Sequence, residues 1–164
     1  MIRNIINFIL GILPTSRLFR FKKFLVILGG YEIGKNVSFN QKVRFYGDSH
    51  VEVGDNTWVG IDCLLFSSAS ATISIGKRCD IGPKVSFITG THEIGDSERR
   101  AGTEKAIDIN IGDGTWIGAS VTILGGANVG KGCIIAAGSV VMKNTFPDNV
   151  MIGGIPAEVI KKLD

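Results

Sequence analysis

Residues 111–141 read IGDGTWIGASVTILGGANVGKGCIIAAGSVV, with an apolar residue at every sixth position: Ile111, Ile117, Ile123, Val129, Ile135 and Val141. The same period recurs toward the N-terminus in three further triples, Ile75, Ile81 and Phe87, Val53, Val59 and Leu65, and Ile33, Phe39 and Phe45. The second position of the hexad is glycine at Gly34, Gly54, Gly60, Gly76, Gly82, Gly112, Gly118 and Gly130, and the fifth is always Val, Ser, Thr, Ala or Cys. Position five, the next position one and the residue between them follow the two-residue alternation of a strand, so small and large side chains point inward in turn. A corner must separate successive short strands, and glycine is expected to relieve unusual backbone angles there. Three hexads then close one triangular coil. Coils stack at strand spacing, about 4.8 Å, each burying its neighbour's edge, and the two open ends need caps.

The chain has 164 residues, enough for one core and too few for two ordinary domains. Its 22 glycines against 4 prolines fit a repeated backbone role. The net charge is +3, and the cations gather at Arg17, Arg20, Lys22 and Lys23 and again at Lys161 and Lys162. That distribution is too local for a nucleic-acid surface, so no nucleic-acid partner is expected. The apolar stretch from Ile5 to Leu13 is broken by Asn7 and Gly11 and stopped by Pro14, too short for a membrane span and without a small-residue cleavage site. A cytoplasmic protein is expected. Cys63, Cys79 and Cys133 all occupy position five, which predicts reduced, buried thiols rather than a disulfide or a zinc site.

Coil starts at 33, 53, 75, 111 and 129 are separated by 20, 22, 36 and 18 residues, so one step is a whole coil's length, 18 residues, too long. The insertion follows His92, and inward alternation resumes at Ile107 and Ile109. Between them lies a polar loop, 93–106, reading EIGDSERRAGTEKA with four acids and three bases. A loop of that length inside a compact domain is usually functional or disordered. The organisation expected is residues 1–30 as a helical cap or membrane-surface segment, 31–146 as the coil region with loop 93–106, and 147–164 as a C-terminal tail. One helix is expected near Ile2 to Leu13 and a second, capped by Ser16, running to Leu28.

From Ile33 onward the pattern resembles the hexapeptide-repeat family, whose fold is a left-handed parallel β-helix. The hand comes from that resemblance alone, since the ordinary crossover rule predicts the opposite one. More specifically, five segments in order look like the sugar and polysaccharide O-acetyltransferase branch, which includes the maltose and galactoside acetyltransferases. They are Thr91-His92, ERRAGTE at 98–104, IGDGTWIG at 111–118, GSVV at 138–141 and GIPAEVI at 154–160. The resemblance implies an all-β, left-handed parallel β-helix of about five coils with an N-terminal helical segment and an extended loop. It also implies a homotrimer, acetyl-CoA as donor without a metal, and a sugar or lipid-linked oligosaccharide as acceptor in surface polysaccharide biosynthesis.

A sugar hydroxyl is a poor nucleophile until its proton is removed, and histidine suits that task near neutral pH. Only His50 and His92 exist, both at the eighteenth, outward corner position of their coils. His50 matches no motif and reads as a surface corner residue. His92 matches the catalytic base of the family. Arg99 and Glu104 match loop residues that orient substrate or the imidazole, although a surface ion pair is an equal reading. Ala119, Ala137, Gly138 and Ser139 match the donor groove, where small residues let the pantetheine arm approach the backbone. Lys143 and Lys161 match residues near the nucleotide phosphates. Glu158 stands where relatives carry Arg or Lys. Trp58 and Trp116 occupy position six and face outward; each is expected at a subunit interface or a ligand, interface packing being preferred, and Trp116 is also kept as a candidate for binding acetyl-CoA. At the acceptor, relatives have Asn at the position of Gly60 and a polar residue at that of Asp62. Asp62 is retained as a substrate contact, while Gly60 argues against maltose and galactosides.

Two other functions fit the same residues. A nucleotide-amino-sugar N-acetyltransferase would use the same base and donor, and a non-catalytic hexapeptide scaffold would need neither. A γ-type carbonic anhydrase is excluded, because it needs three histidines on zinc and the chain has 2. Leu18, Phe19, Phe21 and Phe24 are interleaved with Arg17, Arg20, Lys22 and Lys23. That mixture fits either a cap on the coil end or a peripheral contact with the inner face of a membrane.

Overall fold

A computed structural model describes residues 2–48, 50–68 and 70–164. Two fifth-position residues of the repeat, Ser49 and Ala69, lie outside the described residues, as does Met1. Short parallel strands build a triangular prism. Its first face stacks Glu32–Ile33, His50–Val53, Thr72–Ile75, Ile109–Ile111, Ala127–Val129 and Asn144–Phe146. The second stacks Ser38–Phe39, Trp58–Val59, Asp80–Ile81, Trp116–Ile117, Ile134–Ile135 and Val150–Gly154, and the third runs from Arg44–Tyr46 to Val140–Val141 in five strands. The solenoid therefore has about six turns, the last one incomplete. The five coils counted in the sequence are extended by the segment after Val141, where Phe146 and Ile152 continue the inward columns although Pro147 replaces the glycine.

Register explains the six-residue period. Ile33, Val53, Ile75, Ile111, Val129 and Phe146 lie directly above one another, as do Phe39, Val59, Ile81, Ile117, Ile135 and Ile152. All fifteen first-position residues join one core; only Ile33 is partly exposed. At position five, Thr57, Cys63, Cys79, Thr115 and Cys133 point inward and donate to corner carbonyls of the next coil, as in Thr57 Oγ1–H to Gly76 O at 2.9 Å. Small polar side chains there satisfy carbonyls that the corners would otherwise strand. The three cysteines are free and buried, and burial pushes the Cys63 thiol up to about 11.

The corners correct the expected role of glycine. The left-handed backbone is found at position four, at Asn36, Lys42, Asn56, Asp62, Arg78, Lys84 and Ser120 among others, and not at the position-two glycines. A Cβ on Gly112 would lie 2.5 Å from the backbone of Gly130 and Lys131, and one on Gly118 would lie 2.6 Å from Ala137 N. Glycine is needed at position two because the next coil's backbone passes where a side chain would be. Position three adds a second device: Asp55, Asp113 and Asp148 each accept the N–H of the lysine one coil below, Lys35, Lys77 and Lys131.

Two helices close the N-terminal end, α1 (Ile2–Ile12) and α2 (Phe19–Leu28). Ile6, Leu10, Leu25 and Val26 enter the core beside Tyr31, Phe39 and Phe45. Asn7 fixes the roll of α1 by accepting from Phe45 N and donating to Phe45 O, at 3.0 and 2.9 Å. Ser16 does not cap α2 as expected. Leu18 occupies that position in a left-handed conformation with no side-chain bond. Ser16 instead donates through Oγ and N to Asn40 Oδ1, because the connection between the helices is tied to the first coil. Lys22, grouped above with the surface cations, is buried. Its ammonium donates to Pro14 O at 2.7 Å, and burial lowers its pKa. At the C-terminal end Ala157–Lys162 folds back antiparallel on Val150–Gly154 and covers the exposed edge of the second face.

Candidate active site

The insertion is a β-hairpin, Gly90–Ile94 against Ala101–Ala106, and it leaves the coil at Gly90, two residues before His92. His92 is therefore a hairpin-strand residue rather than a corner of the coil. Its cross-strand partner is Glu104, so the two side chains share one face of the ribbon and both are exposed. On the other face Lys105 Nζ bonds Glu93 Oε1 at 2.6 Å, which holds the ribbon's roll. Arg99 lies in the turn at the tip, where its N–H and that of Glu98 are held by Asp96 Oδ1 at 3.0 Å; that places it beyond the His92–Glu104 pair. Register thus sets His92, the expected base, opposite Glu104 and leaves Arg99 apart from them.

The root of the hairpin lies at the corner between the third and first faces. Ile107 N bonds Thr89 O, Gly126 N bonds Asp108 O, and the Lys143 side chain covers Gly126. Lys143 therefore shares the edge of the prism that carries His92. The other donor candidates stand on a different edge, between the second and third faces. Trp116, Ala119 and Ala137 line a groove of about 480 Å³ there, together with Gly82, Pro83 and Met151. Gly138 adjoins it with φ +73° and open space where a side chain would be. Trp116 is 57% exposed and walls the groove with an apolar plane. Such a trough of small residues fits a narrow, extended arm lying on the backbone. Ser139 does not face it. Its hydroxyl is buried, donating to Ala136 O at 2.6 Å and accepting from Gly154 N, so the side chain serves the fold.

Asp62 stands on the donor-groove edge, two coils below Ser120 in the column of left-handed residues, and pairs with Arg44 at 2.9 Å. Lys161 and Glu158 are on the terminal strand; Lys161 is opposite Met151, at the groove's upper end. Within one chain, then, the histidine and the small-residue groove occupy separate edges. Trp58 is covered in part by Phe19 of α2, with ring centroids 5.3 Å apart. His50 begins a strand of the first face, and its Nε2 lies 3.3 and 3.2 Å from Glu32 and Glu52, which clasps the first two coils. Met151 and Pro83 were not foreseen in the groove. A strict hexad count past Val141 puts Met151 at the inward position five; only the fold, which starts the last coil one residue early at Phe146, sets it at the outward position six.

Comparison with known proteins identifies the family of the fold. The profile of the bacterial transferase hexapeptide family (six repeats) matches residues 108–143. A Saccharomyces cerevisiae protein provisionally named an acetyltransferase, YJL218W, is 39% identical over 121 residues, which are 73% of this chain and 60% of that protein. WcaF of Escherichia coli, provisionally named a colanic acid biosynthesis acetyltransferase, is 34% identical over 145 residues, 88% of this chain and 76% of WcaF. A solved structure of a galactoside acetyltransferase in complex with coenzyme A superposes with a TM-score of 0.81 at 27% identity, covering 98% of this chain and 78% of that one. A coil of the opposite hand could not superpose in this way. The chain belongs to the hexapeptide-repeat transferase family. It spans 54% to 60% of the length of the first relatives it matches.

Proposed function

We propose that the protein is an acetyl-CoA-dependent acetyltransferase that acts as a homotrimer on a sugar hydroxyl in surface polysaccharide biosynthesis. The observation that carries this reading is the pairing of His92 with Glu104 on the long hairpin excursion from the coil, on a different edge from the groove of small residues. A base on one edge and a donor trough on another call for two chains per site, and cyclic assembly supplies that pairing three times. The likeness to WcaF and to a galactoside acetyltransferase supports a sugar acceptor. Gly60, unable to make the polar contact that Asn makes in the galactoside and maltose enzymes, speaks for a different sugar. A lipid-linked acceptor at the inner face of the membrane fits the apolar and basic N-terminal helices.

The neutral imidazole of His92 takes the proton of the acceptor hydroxyl as its oxygen attacks, and returns that proton to the departing sulfur. Glu104, acting as a positioning residue, stabilises the imidazolium between those steps. The donor supplies the acetyl group as a thioester. Ala119, Ala137 and Gly138 would hold its arm by the backbone, with Trp116 as a wall and Lys143 and Lys161 toward the phosphates.

General-base catalysis is worth about 10² to 10⁴ in rate. His92→Ala should keep the trimer and its acetyl-CoA affinity but lose acetyl transfer by at least about a hundredfold. His50→Ala is the control and should transfer at the parental rate. Near-parental turnover by His92→Ala, or loss only because the assembly falls apart, would refute the assignment. Comparing hydroxyl with amine acceptors decides between O- and N-acetylation.

A further inference from the structure

We propose that the outward faces of α1 and α2 form a docking surface for an anionic phospholipid bilayer. Both helices are apolar on two sides. With Asn7 bonded to Phe45, α1 turns Ile6 and Leu10 into the core and leaves Ile2, Ile5, Phe8 and Ile12 exposed. At 100° per residue these four fall within an arc of about 120°. Phe8 is 69% and Ile12 66% exposed, values far from those of a buried cap. On α2 the exposed residues Phe21, Phe24, Ile27 and Leu28 fall within a second arc of about 120°, together with Arg20. Ile6, Leu10, Leu25 and Val26 press the other sides of the helices onto the core, and one flank of the α2 arc, at Arg20, Phe24 and Ile27, borders the first coil.

Charge selects the occupant. No Asp or Glu precedes Glu32, whereas five cations do. Arg3 is turned inward onto Gly29 O and the Tyr31 ring, and Lys22 is buried on Pro14 O. Arg17 and Arg20 have no ion-pair or hydrogen-bond partner among the described residues, and Lys23 spends one donor on Gly34 O. Between α2 and the first coil a groove of about 630 Å³ is lined by Arg20, Lys23, Phe24, Ile27 and Ser38. Cations beside apolar side chains match a phosphate headgroup continuing into acyl chain. A second copy laid on this face would bring the same unneutralised cations. Helices of 11 and 10 residues are too short to cross a bilayer and would lie in its plane. Cyclic symmetry sets the three caps of a trimer in one plane, so three weak contacts act together.

This inference deepens the lipid-linked reading of the acceptor but does not depend on His92. The test is co-sedimentation of the full chain with vesicles of phosphatidylcholine alone or mixed with phosphatidylglycerol. Binding should require phosphatidylglycerol and weaken as salt rises. The pair Arg17→Gln and Arg20→Gln should weaken it by about fivefold for each cation removed. Phe8→Ser with Phe24→Ser should weaken it by at least about tenfold. Oligomeric state and acetyl transfer to a soluble acceptor should be unchanged in these variants, and His92→Ala should bind vesicles like the parent. Equal binding to both vesicle types, or none to either, overturns the proposal. So does a Phe8→Ser and Phe24→Ser variant that binds vesicles normally, or one that changes the oligomeric state, since the face would then be an interface between copies.

Discussion

Gly112→Ala tests why glycine recurs at position two of the hexad. The new Cβ would sit 2.5 Å from Gly130 C and Lys131 N, where ordinary contact begins at 3.4 Å, so the coils must part by 3.4 − 2.5 = 0.9 Å. Parting by that much stretches the 2.8 Å bond from Gly112 N to Val129 O to about 3.7 Å, outside hydrogen-bonding range. Overpacking of this kind costs about 1 to 3 kcal/mol and the weakened bond about 1 more. The expected loss is about 2 to 4 kcal/mol, or roughly 10 °C in melting temperature for a chain of this size. Gly114 supplies the contrast, with φ +70° and nothing within reach of a Cβ. Asn36 and Asn56 hold the equivalent corner in the first two coils. Gly114→Asn should therefore cost under about 1 kcal/mol. Thermal melts followed by circular dichroism, at one protein concentration and with the oligomeric state checked, measure both. If Gly112→Ala melts with the parent, the next coil's backbone does not demand glycine at position two and the close-approach account fails.

Three further outcomes are expected. Burial raises the Cys63 thiol from 9.0 to about 11, so the folded chain keeps a proton that the unfolded chain releases; that contribution is whole below pH 9 and lost as pH rises through 11. Melting temperature should decline across that window, less steeply in Cys63→Ala, and a parent without such a decline would count against the burial. Cys63, Cys79 and Cys133 should resist a thiol reagent in the native protein and react once denaturant is added. Light scattering should give a mass of three chains, and a stable monomer that turns over acetyl-CoA would rule out a site built between subunits.

The architecture was legible in the sequence because a solenoid makes its contacts between equivalent positions, and every coil repeats the same constraint. Fifteen first-position residues, from Ile33 to Val141, name the core without reference to any distant contact. The insertion was legible as a broken period, and His92 by its place beside it. Other features depended on how backbones approach one another in three dimensions. A glycine that avoids a neighbouring coil and one that adopts a left-handed angle look identical in a string of letters, so the roles of positions two and four were separated only in the fold. Ser16 and Lys22 were misread because their partners, Asn40 Oδ1 and Pro14 O, are set by the way the helical cap seats on the first coil. The structure also paired Glu104 with His92 through hairpin register, which a polar loop of fourteen residues does not specify. Finally, the hand of the coil and the separation of the histidine from the small-residue groove onto two edges are properties of the closed prism, since a linear period fixes which residues stack but not which way the stack winds.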